Sequence, residues 1–213
     1  MPYGAVLWVP ACAGTTVLVL APFDDTMFLK KRDDTAHKTP RDVIWPPSPC
    51  ACGAYRPWLT DRGSLTQRIE ARAPGIKVKV VFQGRRRLHR DECFLAHGSA
   101  YALTRDVVLY SGGRPLVVAH SVLAANARGA GRRLMLGMGS RPLGAALFAD
   151  PRIRRQMLRQ RKLGRGHALY RQAIRFTKIG CMPRTLWARR SLFMIGKSPI
   201  LVTEVFLPGV LAL

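Results

Sequence analysis

Apolar and polar residues alternate in several short runs that read as strands. Ile76-Lys77-Val78-Lys79-Val80-Val81-Phe82-Gln83 alternates well enough for a strand with one buried face. Two further runs, 100–111 and 115–124, flank Gly112-Gly113, a pair that signals a hairpin. Residues 192–195 and 200–207 predict a second hairpin. Helical signals are fewer. Ser64 and Gln67 fit a capping box opening a short helix over 65–70, ended by Pro74-Gly75. Arg141 to Phe148 opens another, with proline in its first turn. Strands gathered in hairpins with few helices between them predict an α+β domain on an antiparallel sheet, with helices packed on it.

Two strand positions break the pattern. In Leu201-Val202-Thr203-Glu204-Val205-Phe206-Leu207-Pro208, Glu204 shares a face with Val202 and Phe206. In 102–110, Arg105 shares a face with Leu103, Val107 and Leu109. A charge among apolar neighbours is costly to bury unless something meets it. The acid and the base either neutralise each other or await a polar ligand.

Residues 58–213 read as the folded domain and 1–57 as an irregular extension. Residues 1–23 are apolar, but no basic segment precedes them, and Pro10 and Thr15-Thr16 interrupt a run that would need roughly 20 apolar residues to span a bilayer. An irregular leader, a weak membrane-associating segment and an extension upstream of a start at Met27 stay open. Residues 24–57 are charged, with a Lys30-Lys31-Arg32 patch, then proline-rich through Trp45-Pro46-Pro47-Ser48-Pro49. Arg85 to Arg90 reads as a basic loop, 128–140 as a glycine-rich stretch with no nucleotide-binding spacing, and 152–190 as a basic segment of mixed pattern.

Charge narrows the partner. Lys+Arg 35 against Asp+Glu 12 gives +23, which calls for an anionic partner without saying which. Arginines scattered among apolar strands, rather than tracts in polar surroundings, weigh against nucleic acid. Five irregularly spaced cysteines, Cys50-Ala51-Cys52 among them, read as thiols in a reducing compartment. His37, His89, His97, His120 and His167 lie singly, as surface or packing residues, and no metal is expected.

Four patches in order resemble the chorismate lyase (chorismate pyruvate-lyase) family. They are Trp58-Leu59 with 64–70; 105–109 running to Gly113-Arg114-Pro115; Pro142-Leu143-Gly144 with Leu147-Phe148; and 186–191 leading into 201–208. The resemblance implies conversion of chorismate to 4-hydroxybenzoate and pyruvate for ubiquinone synthesis, by a cytoplasmic monomer needing neither metal nor cofactor and no stable membrane insertion. It carries substrate contacts onto Leu65, Arg105, Leu143 and Glu204, with Arg105 and Glu204 as the catalytic pair. Leu65 departs from the family's methionine, and 174–185 reads like an insertion. Arg105 would clamp the ring carboxylate. Glu204, in an apolar setting that would raise its pKa, would meet the 4-hydroxyl or act as acid or base. Leu65 and Leu143 would pack the ring. Arg189-Arg190 reads as entrance potential or as a solvated face. The alternatives are a non-catalytic ligand-binding domain of the same fold, or a basic nucleic-acid-binding protein.

Overall fold

The computed structural model describes residues 45–46 and 52–213. The readings made for 1–44 and for 47–51 lie outside the described residues. Six strands form one antiparallel sheet: β1 Lys77–Arg87, β2 Tyr101–Ser111, β3 Arg114–Leu123, β4 Arg154–Gly164, β5 Thr185–Ile195 and β6 Ser198–Phe206. Their spatial order is β1-β2-β3-β6-β5-β4. Five helices accompany them: α1 Arg56–Thr60, α2 Leu65–Glu70, α3 Gly129–Gly137, α4 Leu143–Ala149 and α5 Ala168–Thr177. The α+β architecture expected from the alternation is present.

Local chemistry sets several boundaries. Gly112 and Gly113 take φ of +53° and +75°, the left-handed values a tight hairpin between β2 and β3 requires. At the start of α2 the Gln67 N–H donates to Ser64 Oγ at 3.4 Å, the expected cap. Proline is not inside α4 but caps it, as Pro142.

Other strand expectations fail where arginines interrupt the alternation. Arg85, Arg86 and Arg87 are not a loop but the end of β1, paired with Leu103, Ala102 and Tyr101. The mixed segment 152–190 contains β4, α5 and the first part of β5, and residues 174–185 hold the end of α5 and its link to β5. The end of β1 and all of β4 belong to the outermost strands, whereas 185–191, the first part of β5, lies inside the sheet and is obscured by its buried Arg189 and Arg190. On the two outer strands long cationic side chains stay hydrated, so no clean alternation is needed.

Both faces of the sheet are covered. On one, α1 and α2 bring Trp58, Leu59, Leu65 and Ile69 onto Val107, Val117, Ala119 and Phe206. Beside them α3 and α4 bring Met135, Met138, Leu143 and Leu147 onto Leu123, Phe193, Ile200 and Val202. The opposite face carries α5, with Leu169, Tyr170 and Ala173 on Val108, Val118, Ala188 and Val205. A 3-10 turn, Arg90–Leu95, lies on that face too, with Leu95 in a cluster containing Val122, Leu192 and Leu201. Cys52 packs with the Trp58 cluster and Trp45 against the α5 cluster.

Candidate active site

Strand register brings the two exceptional charges to one face. Gln83, Arg105, Ser121, Val202 and Ser191 lie opposite one another across β1, β2, β3, β6 and β5. The next row on that face is Val107, Ala119, Glu204, Arg189 and Gln160. Arg105 and Glu204 are therefore two strands and one row apart, and standard strand spacings separate their Cα atoms by about 12 Å. Only small residues, Ala119 and Ser121, stand between them. The two apolar clusters flank this polar strip: Leu65 is buried in one and Leu143 in the other. A side chain built at Gly144 would touch Thr66 Oγ1 at 3.8 Å, so α2 and α4 meet over the strip.

Arg105 is 1% exposed. Its Nη1 donates to Gln83 Oε1 at 2.5 Å, and its Nη2 to the carbonyls of Gly139 at 2.7 Å and Arg141 at 3.2 Å. Its Nε has no partner. Gln83 is itself fixed, donating from Nε2 to the Leu136 carbonyl at 3.3 Å. All of these acceptors are neutral, and burial lowers the Arg105 pKa. A structural Arg105–Glu204 pair, one of the two possibilities left open by the sequence, is not formed.

Glu204 meets a different base. Its Oε2 accepts from Arg189 Nε at 2.5 Å, and its side chain remains 12% exposed. The setting is thus not the apolar one expected. Arg189, far from solvated, is 0% exposed. Its Nη1 donates to the carbonyls of Trp58 at 3.1 Å and Asp61 at 2.8 Å, and its Nη2 has no partner. Next to it, Arg155 Nη1 donates to the Arg62 carbonyl at 2.7 Å, and its guanidinium lies over Phe148 and Phe193. Burial, and then the nearby Arg189, press the Arg155 pKa down to about 10, against the pull of Glu204 and Asp61. Burial works to raise the Asp61 carboxyl, but the Gly63 N–H, Arg68 and Arg189 hold it below its ordinary value. Among the described residues Arg105, Arg189, Arg155 and Arg68, with Arg62 close to Arg155, outnumber Glu204 and Asp61, so the mostly buried strip carries a surplus of positive charge.

The opposite face also holds buried charges, and these close on themselves. His120, read from sequence as an ordinary surface or packing residue, sits between Asp106 at 2.5 Å and Glu92 at 3.1 Å. Burial opposes its charge, but Glu92 and Asp106 prevail and push its pKa up to about 10. Arg86 pairs with Asp106, and Arg190 with Asp91 at 2.8 Å while stacking on Trp45. Arg190, like Arg189, is buried rather than solvated. Three carboxylates thus meet three cations. His89, Glu92 and His120 place potential ligand atoms within 4.8 Å of one another. A metal ion there would displace the His120 proton and face Arg190 Nη2, which is 3.7 Å from Glu92 Oε1.

Sequence inspection missed Arg155, Gln83 and the role of Arg189. For Arg189 a signal existed: counting back from the Gly196-Lys197 turn pairs it with Glu204. Arg155 and Gln83 sit on outer strands, where no such count was available. Two surface clefts, one lined by Gly75, Lys77 and Tyr110 and one by Arg132, Arg133 and Leu136, do not include Arg105 or Glu204.

Comparison with known proteins identifies the family. Residues 40–212 match the family described as Chorismate lyase. A "Probable chorismate pyruvate-lyase" of Azoarcus sp. (strain BH72) is 48% identical over 162 residues, 74% of this chain and 86% of that protein. One from Nitrosospira multiformis is 44% identical over 174 residues, 79% of this chain and 95% of that protein. Among solved structures, PhnF from Mycobacterium smegmatis is 14% identical with a TM-score of 0.49, covering 93% of this chain and 73% of that one. With a family match over most of its length and relatives at these identities, the chain belongs to the chorismate lyase family and is a lyase.

Proposed function

We propose that the strip between Arg105 and Glu204 binds chorismate and converts it to 4-hydroxybenzoate and pyruvate. The observation that carries this is Arg105: a buried guanidinium with no carboxylate within ion-pair distance among the described residues. A cation so placed is strongly stabilised by an anion and poorly by neutral acceptors alone. Chorismate is a dianion, and the strip's surplus of positive charge suits it.

In this reading Arg105 Nε, the donor without a partner, meets the ring carboxylate by a charge-assisted hydrogen bond. Glu204, already accepting from Arg189, accepts from the 4-hydroxyl across the strip and sets the ring's orientation. Leu65 and Leu143 close the apolar walls and exclude water. The ether bond from ring carbon to enolpyruvyl oxygen breaks, and the hydrogen on the hydroxyl-bearing carbon passes to the enolpyruvyl methylene. Atoms and electrons balance within the substrate, and the ring becomes aromatic. The protein's contribution is pose, which is worth up to roughly 7–11 kcal/mol of barrier in well-oriented systems. Supply of 4-hydroxybenzoate for ubiquinone, in the cytoplasm, is part of the same proposal. The unpaired thiols of Cys52, Cys93 and Cys181 fit a reducing compartment. Among the described residues no helix is long and apolar enough to cross a membrane.

The test is incubation with chorismate, following 4-hydroxybenzoate by absorbance. Arg105→Ala and Glu204→Ala are expected to lower kcat/KM by about 100-fold or more, on the scale of losing a preorganised polar contact. Circular dichroism should show both folded. Near-normal rates in both variants would overturn the assignment.

A further inference from the structure

Three cationic donors in the strip remain unused by the pose above: Arg68 Nε, and two on neighbouring guanidiniums. Arg189 Nη2 is buried without a partner, and so is Arg155 Nε. The two side chains converge although they leave the sheet from different strands and rows. Arg189 Nη1 donates to the Asp61 carbonyl and Arg155 Nη1 to the Arg62 carbonyl, so consecutive peptide units hold the two guanidiniums side by side. Phe148 and Phe193 support Arg155 from beneath, at 4.7 and 5.1 Å from its guanidinium carbon. The adjacent acids are already engaged: Asp61 pairs with Arg68 at 2.9 Å and accepts from the Gly63 N–H at 2.8 Å, and Glu204 accepts from Arg189 Nε, leaving Arg189 Nη2 and Arg155 Nε unmet. Two like charges fixed together, each with a buried donor pointing nowhere, are stabilised by an anion shared between them.

We infer that Arg155 and Arg189 form a second anion subsite, at the Glu204 end of the strip, which takes the enolpyruvyl carboxylate of the substrate. The inference rests on the lyase reading for the identity of its ligand. It makes Arg155 a specificity residue, separating a substrate with two carboxylates from a product with one. Arg105 grips the group that substrate and product share. Arg155 grips the group that leaves with pyruvate. Once the ether bond breaks, the two carboxylates belong to separate molecules and each is held by one end of the strip only.

Two non-reacting aromatic ethers test this by calorimetric titration of the full chain. One is meta-(carboxyvinyloxy)benzoate, which carries both carboxylates; the other is meta-methoxybenzoate, which carries only that of the ring. The wild-type protein is expected to bind the first about 10- to 100-fold more tightly, the range for a hydrogen bond to a charged group. Arg155→Gln should remove most of that preference and leave methoxybenzoate affinity within about twofold, whereas Arg155→Lys should keep part of it. Arg105→Gln should weaken both ligands together. Equal binding of the two ethers by the wild type, or a parallel loss of both in Arg155→Gln, would overturn the subsite. Turnover of chorismate is measured separately, so a failure of the lyase reading is distinguishable from a failure of the subsite.

Discussion

Arg105 and Glu204 illustrate how one buried charge depends on its neighbours. Each was conspicuous in the sequence because it interrupts an apolar strand face. Their partners were not, because Gln83 and Arg189 lie on other strands and only register brings them in. Gln83 has the tightest role: its amide oxygen takes one arm of Arg105 while its amide nitrogen is tied to the Leu136 carbonyl. Gln83→Leu leaves that arm of a buried guanidinium without an acceptor. A stability loss of about 1–3 kcal/mol is expected from denaturant unfolding, together with a raised KM for chorismate. An unchanged KM would show that Arg105 needs no such guide. Leu65 and Leu143, by contrast, are indistinguishable from other core leucines until the strip between their clusters is seen.

At the scale of elements, legibility followed burial. The inner strands β2, β3 and β6 alternate against two covered faces, so their hairpin turn and side-chain directions could be read directly, whereas the first part of β5, also inside the sheet, is obscured by its buried Arg189 and Arg190. β4 could not be read, because an outer strand rich in arginine lacks the pattern that burial imposes. The helices over the strip depend on close approach that composition does not announce. Gly131, in α3, leaves no room for a side chain: an added Cβ would sit 2.8 Å from Ser198 Cβ and 3.2 Å from a Leu123 methyl. Gly131→Ala should therefore push α3 off the end of the β5–β6 hairpin. An expected cost of about 1–3 kcal/mol, as for an overpacked core, is measurable by thermal or denaturant unfolding. The carbonyls that hold Arg105 follow α3 in the chain, so weaker chorismate binding should accompany it.

For the whole molecule, the sheet separates two electrostatic regimes. One face carries uncompensated positive charge where a ligand is proposed, and the other a closed set of pairs. The closed set governs stability against pH. His120 titrates near 6.5 when unfolded and about 10 when folded, so its contribution is complete below 6.5 and is lost as pH rises toward 10. Asp91 and Glu92 are lowered from ordinary values of 3.8 and 4.5, so theirs is complete above those values and is lost as pH falls below them. Melting temperature should therefore be highest between about pH 4.5 and 6.5, set by these groups, and decline on the alkaline side. His120→Gln should flatten that alkaline decline, and a slope identical to wild type would remove His120 from the account. The outer strands have a further consequence. β1 ends with the exposed Arg85 and Arg87, and β4 begins with the exposed Arg154, so both outer strands bear cationic side chains. When two copies collide rim to rim in dilute buffer, these guanidiniums repel before main-chain groups can meet. These few charges thereby oppose edge-to-edge association of the outer strands.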